Sequence, residues 1–274
     1  MKAINASLEL AGEEQTELVN ELAAESKVYV QNVRTRFNQL IETRAIIPHL
    51  HPVLELHTGK TVGFELLARS DVQSLETPQK MFAAAEYLRR GVELSELCRS
   101  VGYEVDSYLP QGAKLFVNVH PQESLLTGLL PSLRHMRKQV PDRVIVVEIH
   151  EAAVTDHETL NLFSAAVRDL NVQIAFDDFG VGRARLLELA NVPPDFVKFD
   201  LTLVRSIDEQ PRHHLVVLRH LVEMMREIGC TTIAEGVETE RDAENCRRFG
   251  FELAQGFLYG RPTPIAIPKK SNKS

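Results

Sequence analysis

Two rhythms of apolar and polar positions alternate along this chain. Short apolar runs (VGFE, KLFVN, VIVVE, IAFDD, DFVKFD, TTIAE and ELAQG) are separated by stretches whose apolar residues recur every three to four positions. The first rhythm is that of buried strands and the second that of amphipathic helices. The pattern predicts a helical region 78–108, strand 114–118, helix 122–139, strand 143–148, helix 157–170 and strand 172–177. It continues with helix 183–190, strand 195–199, helix 209–228, strand 231–235, helix 239–249 and strand 252–256. Ahead of these, HPVLEL and VGFELL flank His57-Thr58-Gly59-Lys60, a short turn with glycine at a hairpin position. That turn pairs the two runs antiparallel. Eight strands with intervening helices close into an α/β barrel of the TIM-like (β/α)8 type, here with an antiparallel first strand. In such barrels function lies at the C-terminal strand ends.

Those ends carry the chemistry. The runs finish on Glu65, Asn118, Glu148, Asp177, Lys198, Glu235 and Gln255. Taken singly, each has an ordinary use: Asn118 as a turn residue, Lys198 as an ion-pair partner, Glu65 and Glu148 as buried partners of an arginine or a helix end. Recurrence at matching places around one ring makes them a shared site. Asp177 is followed by Asp178, and adjacent like charges resist joint ionisation unless cations or strong hydrogen bonds accompany them. Glu65, Asn118, Glu148 and Asp177 form an oxygen-only set that suits Mg²⁺ or Mn²⁺, and no cysteine cluster or paired histidine points to zinc. Asp177 can bridge to a second ion held by Asp178 and Glu235. Two ions about 4 Å apart clamp a phosphodiester and acidify water. Lys198 fits as a fixed cation that orients that water, and Glu235 as the group that takes its proton.

Composition narrows the substrate. The 274 residues are 44% hydrophobic and 25% charged, with a formal net charge of −7. No basic stripe is present, which argues against a DNA or RNA polymer as partner. A small anion remains compatible once metal ions neutralise the acidic mouth. Cys98, Cys230 and Cys246 are widely spaced and read as reduced thiols. No apolar run reaches the roughly 18 residues of a membrane span, so a cytoplasmic protein is expected. Residues 1–40 read as a leader or linker, 41–266 as the barrel, and 267–274, ending KKSNKS, as a disordered tail. Within 31–45, Val33, Phe37, Leu40 and Ile41 outline an amphipathic helix. Two uses are open for it: packing on the barrel's underside, or linking residues 1–45 to a dimer partner or an upstream sensor domain.

The strand ends also carry a resemblance. Glu65-Leu66-Leu67 followed by Arg69, FVNV at Asn118, VEIHE at Glu148 and Glu151, DDFG at 177–180, KFD at Lys198 and Asp200, AEGVET at 234–239 and QGFLYGRP at 255–262 occur in unbroken order over about 40–266. In this the chain resembles the EAL-domain cyclic-di-GMP phosphodiesterases. The resemblance implies metal-dependent hydrolysis of one 3′–5′ phosphodiester of cyclic di-GMP to linear pGpG, lowering a bacterial second messenger. It implies metal ligands Glu65, Asn118, Glu148, Asp177 and Asp178. It makes Lys198 and Glu235 the groups that position and deprotonate water, with Gln255 assisting, and gives Arg69 a contact with substrate phosphate or base. Mg²⁺ or Mn²⁺ would support turnover, Ca²⁺ would inhibit it, and a homodimer is implied.

Three departures stand out. Where the family usually reads Thr/Ala-Gly-Tyr-Ser-Ser after DDFG, this chain has Val181-Gly182-Arg183-Ala184-Arg185. The family serine at Ala184 anchors the glutamate corresponding to Glu151, and alanine has no hydroxyl to do so. That change opens an alternative, a weak or silent receptor that binds cyclic di-GMP and signals through a partner. His120 and His150 replace small hydroxylated residues after Asn118 and Glu148, and are expected to pack near each other at the rim.

Overall fold

The computed structural model describes residues 30–150, 157–180, 186–205 and 210–266. The expected tail, Glu151 and the loop 181–185 lie outside the described residues. A helix over residues 30–42 (α1) leads into β1 (Ile47–Glu55), β2 (Thr61–Arg69), α2 (Pro78–Tyr87) and α3 (Gly91–Gly102). Then come β3 (Lys114–Asn118), α4 (Leu130–Gln139), β4 (Ile145–His150), α5 (His157–Asp169), β5 (Val172–Phe179) and α6 (Leu186–Asn191). The chain continues through β6 (Phe196–Phe199), α7 (Leu201–Val204), α8 (Arg212–Glu227), β7 (Thr231–Ala234), α9 (Glu240–Phe249), β8 (Leu253–Gln255) and β9 (Thr263–Pro264). Strands β2 to β8 run parallel in sequence order, and β1 pairs antiparallel with both β2 and β8 to close the ring. This is the (β/α)8-type barrel with an antiparallel first strand that the pattern predicts.

The side-chain period of two builds the interior in layers. Val53, Phe116, Val146, Ala175, Phe196, Ile233 and Leu253 point inward and form a closed apolar plug. Phe116 and Phe196 meet edge-on at 5.4 Å. Gly63 leaves room for them, since a Cβ there would lie 2.9 Å from the Phe116 ring. The intervening residues, among them Leu115, Val147, Ile174 and Val197, face outward and pack against Leu133, Phe163 and Val222 of the helices.

Several local details differ from the expected pattern. The helical region 78–108 breaks at Arg89, whose φ is 57°, so α2 and α3 form a corner. Helix 122–139 begins only at Leu130, because Leu125–Leu129 forms a wide turn closed by Leu129 N–H to Ser124 C=O at 2.9 Å. Pro131 then takes the first turn of α4, where a missing N–H costs nothing. α7 and β9 were too short to leave a periodic signal. Helix α1 is not on the underside. β1 runs against the other strands, pairing Ile47 with Arg69, so the chain enters the barrel from the C-terminal face and α1 docks beside α2 and α3.

Candidate active site

Two residues above each plug residue, the period of two places a polar side chain. Phe116 is followed by Asn118, Val146 by Glu148, Ala175 by Asp177, Phe196 by Lys198, Ile233 by Glu235, Leu253 by Gln255 and Gly63 by Glu65. On the reversed strand β1 the equivalent of this step is Val53 to His51, and His51 pairs in register with Glu65. The expected residues therefore converge on one ring, and His51 joins it. In the sequence His51 lacks metal-ligand spacing with any carboxylate; the reversed direction of β1 is the signal that brings it into the ring.

Lys198 is the centre of the ring. Its side chain is 1% exposed, and its Nζ lies 2.8 Å from Glu148 Oε1, 2.8 Å from Glu235 Oε1, 3.0 Å from Asp177 Oδ1 and 4.0 Å from Glu65 Oε1. Burial alone would lower the amine's pKa, but Asp177, Glu148, Glu235 and Glu65 together raise it well above the usual lysine range. It is a permanent cation. One positive charge facing four acidic side chains does not let all four ionise at their ordinary pKa values. Burial pushes the Glu148 carboxyl well above its ordinary range, with Lys198 opposing and Glu65 and Asp177 adding to the rise. Burial likewise pushes Glu235 up to about 8. Glu65 goes the other way. Its burial is outweighed by Lys198 and by hydrogen bonds that Asn118 Nδ2 donates at 2.9 Å and Gln255 Nε2 at 2.8 Å.

The backbone supplies the remaining aim. Adjacent strand residues normally point to opposite faces, which would send Asp178 out of the mouth. Between Phe176 and Phe179 the register on β6 advances by two while β5 advances by three, a bulge with Asp178 at φ 58°. Bulges re-aim side chains in this way, and aspartate tolerates the left-handed conformation better than most residues. As a result Asp177, Asp178 and Glu235 each bring one carboxylate oxygen within 4.8 Å of the others. Asp178 also faces His150 Nε2 at 3.2 Å. Beyond β7, Gly236 turns at φ 67°, and any side chain there would strike Leu201. Gly256 passes so close to Val237 that a Cβ would fall 2.1 Å from its carbonyl oxygen. This crossing lets Val237 donate to Gln255 C=O at 3.1 Å and ties the Glu235 and Gln255 loops together.

A cavity of about 530 Å³ runs outward from Glu65 and Asn118 between β2, α2 and α3, with Arg69 and Phe82 on its walls. Arg69 thus lies at the rim of the site rather than within the ring. His120 and His150 take separate partners: His120 stacks on Phe82 with ring centroids 5.8 Å apart, and His150 turns to Asp178.

The donor set fits divalent cations. Both Glu148 oxygens and Asp177 Oδ1 are buried and accept no well-directed hydrogen bond, although Lys198 lies within ion-pair distance of both groups. Buried carboxylate oxygens left this way are costly unless a cation satisfies them. The carboxylates and the Asn118 amide of the ring offer oxygens, as hard ions require.

An acid-ringed barrel of this kind, with a buried lysine at its centre and a bulged aspartate pair, is a (β/α)8 protein whose donor set suits divalent cations. The chain belongs to the EAL domain family, whose profile matches residues 34–262. It is 29% identical over 242 residues to the probable cyclic di-GMP phosphodiesterase PdeB of Escherichia coli K12, covering 86% of this chain and 46% of PdeB. To MucR of Pseudomonas aeruginosa, a bifunctional diguanylate cyclase/cyclic di-GMP phosphodiesterase, it is 28% identical over 236 residues, covering 82% of this chain and 34% of MucR. The chain thus spans less than half the length of these relatives. The solved PaMucR phosphodiesterase in its c-di-GMP complex shares the fold, with a TM-score of 0.76 over 85% of this chain and 98% of that one at 24% identity. Klebsiella pneumoniae BlrP1, solved with calcium and cyclic di-GMP, gives 0.71 over 81% of this chain and 57% of that one at 27% identity. Its manganese complex at pH 9.0 gives 0.68 over 80% and 56%, at 28% identity. Among the described residues no helix is long and apolar enough to cross a membrane.

Proposed function

We propose that this chain hydrolyses cyclic di-GMP to linear pGpG with the help of Mg²⁺ or Mn²⁺. The observation that carries the reading is the imbalance at the ring, where four carboxylates surround one buried ammonium and several buried oxygens lack a well-directed hydrogen bond. Glu65, Asn118, Glu148 and Asp177 would hold one ion, and Asp177, Asp178 and Glu235 a second. Bound there, the ions would polarise the phosphodiester and make water more acidic. Asn118 and Gln255 fix the Glu65 carboxylate by donating to its two oxygens. Lys198 would offer its positive charge to the negative charge that grows on the phosphate as water adds. Glu235, whose Oε1 lies 2.8 Å from Lys198 Nζ, would take the proton from that water. Arg69, at the cavity rim, is placed to meet a phosphate or base of the substrate.

A homodimer fits the same reading. Leu201, Val216 and Val217 of α7 and α8, together with Leu186 of α6, leave apolar side chains exposed on one side of the barrel. The barrel unit would comprise residues 41–266. The altered segment Val181–Arg185 favours the second reading, a silent receptor.

One assay separates the two readings. The protein is incubated with cyclic di-GMP and Mg²⁺, Mn²⁺ or Ca²⁺, and the products are resolved. Turnover to pGpG with Mg²⁺ or Mn²⁺ and not with Ca²⁺ supports the enzyme, since calcium's longer bonds and larger ligand number hold substrate without activating water well. Binding with no product under any metal supports the receptor, and no binding at all overturns both.

A further inference from the structure

The wall of the cavity belongs to a separate small core. Phe37 and Leu40 of α1, both fully buried, pack in one cluster with Met81 and Ala85 of α2 and Leu94 and Leu97 of α3. This cluster is distinct from the plug and from the main helix–sheet core. Units of this kind open and close with a stability of their own. The adjoining faces of the same two helices line the cavity, through Pro78, Phe82 and Glu86 on α2 and Ser95, Cys98 and Arg99 on α3, and Phe82 and Cys98 touch both the cavity and the cluster. Whatever loosens the cluster therefore loosens the cavity wall.

Arg90, at the corner between α2 and α3, is the tie. Its guanidinium lies 4.9 Å over the Phe37 ring, donates to Asn38 Oδ1 at 2.6 Å and holds Glu93 at 2.5 and 2.8 Å. The next residue, Gly91, is packed so closely under His120 that a Cβ would lie 2.5 Å from Nε2. His120 in turn stacks on Phe82, and its backbone N–H donates to Ser95 Oγ at 3.2 Å. A continuous series of contacts thus runs from α1 through Arg90 and Gly91 to His120, two residues from Asn118. Packed series of this kind are what carry coupling between sites.

We propose that Arg90 is a positioning residue, through which docking of α1 sets the affinity of the cavity for substrate. The proposal rests on the cyclic di-GMP reading and adds its regulation: a segment acting on α1 would tune substrate binding rather than the chemical step. Coupling of this sort is reciprocal, so substrate must in turn hold α1 in place.

Hydrogen–deuterium exchange of the full chain in calcium, with and without cyclic di-GMP, tests this directly. Slower exchange is expected in residues 30–42 together with the ends of β2 and β3, while α5 and α9 stay unchanged. Protected strand ends with unchanged α1 would overturn the coupling alone. Unprotected strand ends would overturn the cyclic di-GMP reading and this inference with it. In steady-state kinetics Arg90→Ala is expected to raise KM about fivefold or more with kcat unchanged. Arg90→Lys should recover part of the loss, and Gly91→Ala should raise KM likewise by pushing on His120. Should Arg90→Ala fail to fold, Asn38→Ala removes the 2.6 Å hydrogen bond alone and carries the same expectation. An unchanged KM in the folded variants, or a fall confined to kcat, would refute the role.

Discussion

Replacing Lys198 by methionine tests the charge balance of the ring. The substitution keeps most of the volume and removes the cation. Three contacts of 2.8, 2.8 and 3.0 Å disappear. Each has a gross worth of about 6 kcal/mol at an effective dielectric of 20. Most of that gross sum is offset by repulsion among the carboxylates and by the lysine's own desolvation. The net cost of removing one partner from a buried ionic cluster is about 3–5 kcal/mol. For a chain of this size that corresponds to a fall in Tm of roughly 6–20 °C. The assay is thermal unfolding in chelator and then in Mn²⁺. The variant should gain more from Mn²⁺ than the parent does, because added ions replace the missing charge. In chelator it should also recover as pH falls. In the parent, burial already raises the folded-state pKa of Glu235 from 4.5 to about 8 against the lowering effect of Lys198, so the folded form binds more protons than the unfolded form between those values, and losing the lysine adds to that rise. Stability from that group is fully present below about 4.5 and is lost as pH rises toward 8. A variant with the parental Tm in chelator and the parental response to Mn²⁺ would show that Lys198 does not balance these carboxylates.

Three further outcomes are expected. Glu65→Ala should abolish turnover while leaving the barrel folded; hydrolysis of cyclic di-GMP at the parental rate would remove Glu65 from the metal site. Asp178→Gly should raise the Tm in chelator, because glycine relieves the left-handed backbone by about 1 kcal/mol and one like charge is lost. The same variant should need more Mn²⁺ for half-maximal activity, and a lower Tm with unchanged metal demand would contradict the bulge argument. Gly256→Ala should lower the Tm and the activity together, since a methyl group cannot share the space of the Val237 carbonyl; an unperturbed variant would show that the crossing is adaptable.

Much of the barrel was legible because parallel strands buried on both faces leave continuous apolar runs. β3 matches its expected bounds of 114–118, and the 57–60 turn announced the β1–β2 hairpin. The ring residues were legible because strand ends share one side of the sheet. What escaped was set by geometry that no local pattern encodes. The break at Arg89 is a single backbone angle, and nothing in LRRG distinguishes it from a continuing helix. That Asp177 and Asp178 act together was legible in DDFG, but the means was not: their joint inward aim depends on one extra residue against β6, whereas simple alternation sends them to opposite faces. His51 escaped because its place in the ring follows from strand direction. The position of α1 followed from the same reversal, which brings the chain in from the mouth.

The apolar plug has a consequence for traffic. Val53, Phe116, Val146, Ala175, Phe196, Ile233 and Leu253 stop the barrel like the floor of a well. Among the described residues the plug closes the far end, so a molecule that reaches Lys198 leaves by the mouth. Arrival and departure share one doorway, and a linear dinucleotide still bearing its phosphate would stand in the path of the next cyclic one. Under the proposed hydrolysis such a site would be throttled by its own output, its working rate set as much by how quickly the mouth clears as by how quickly the bond breaks.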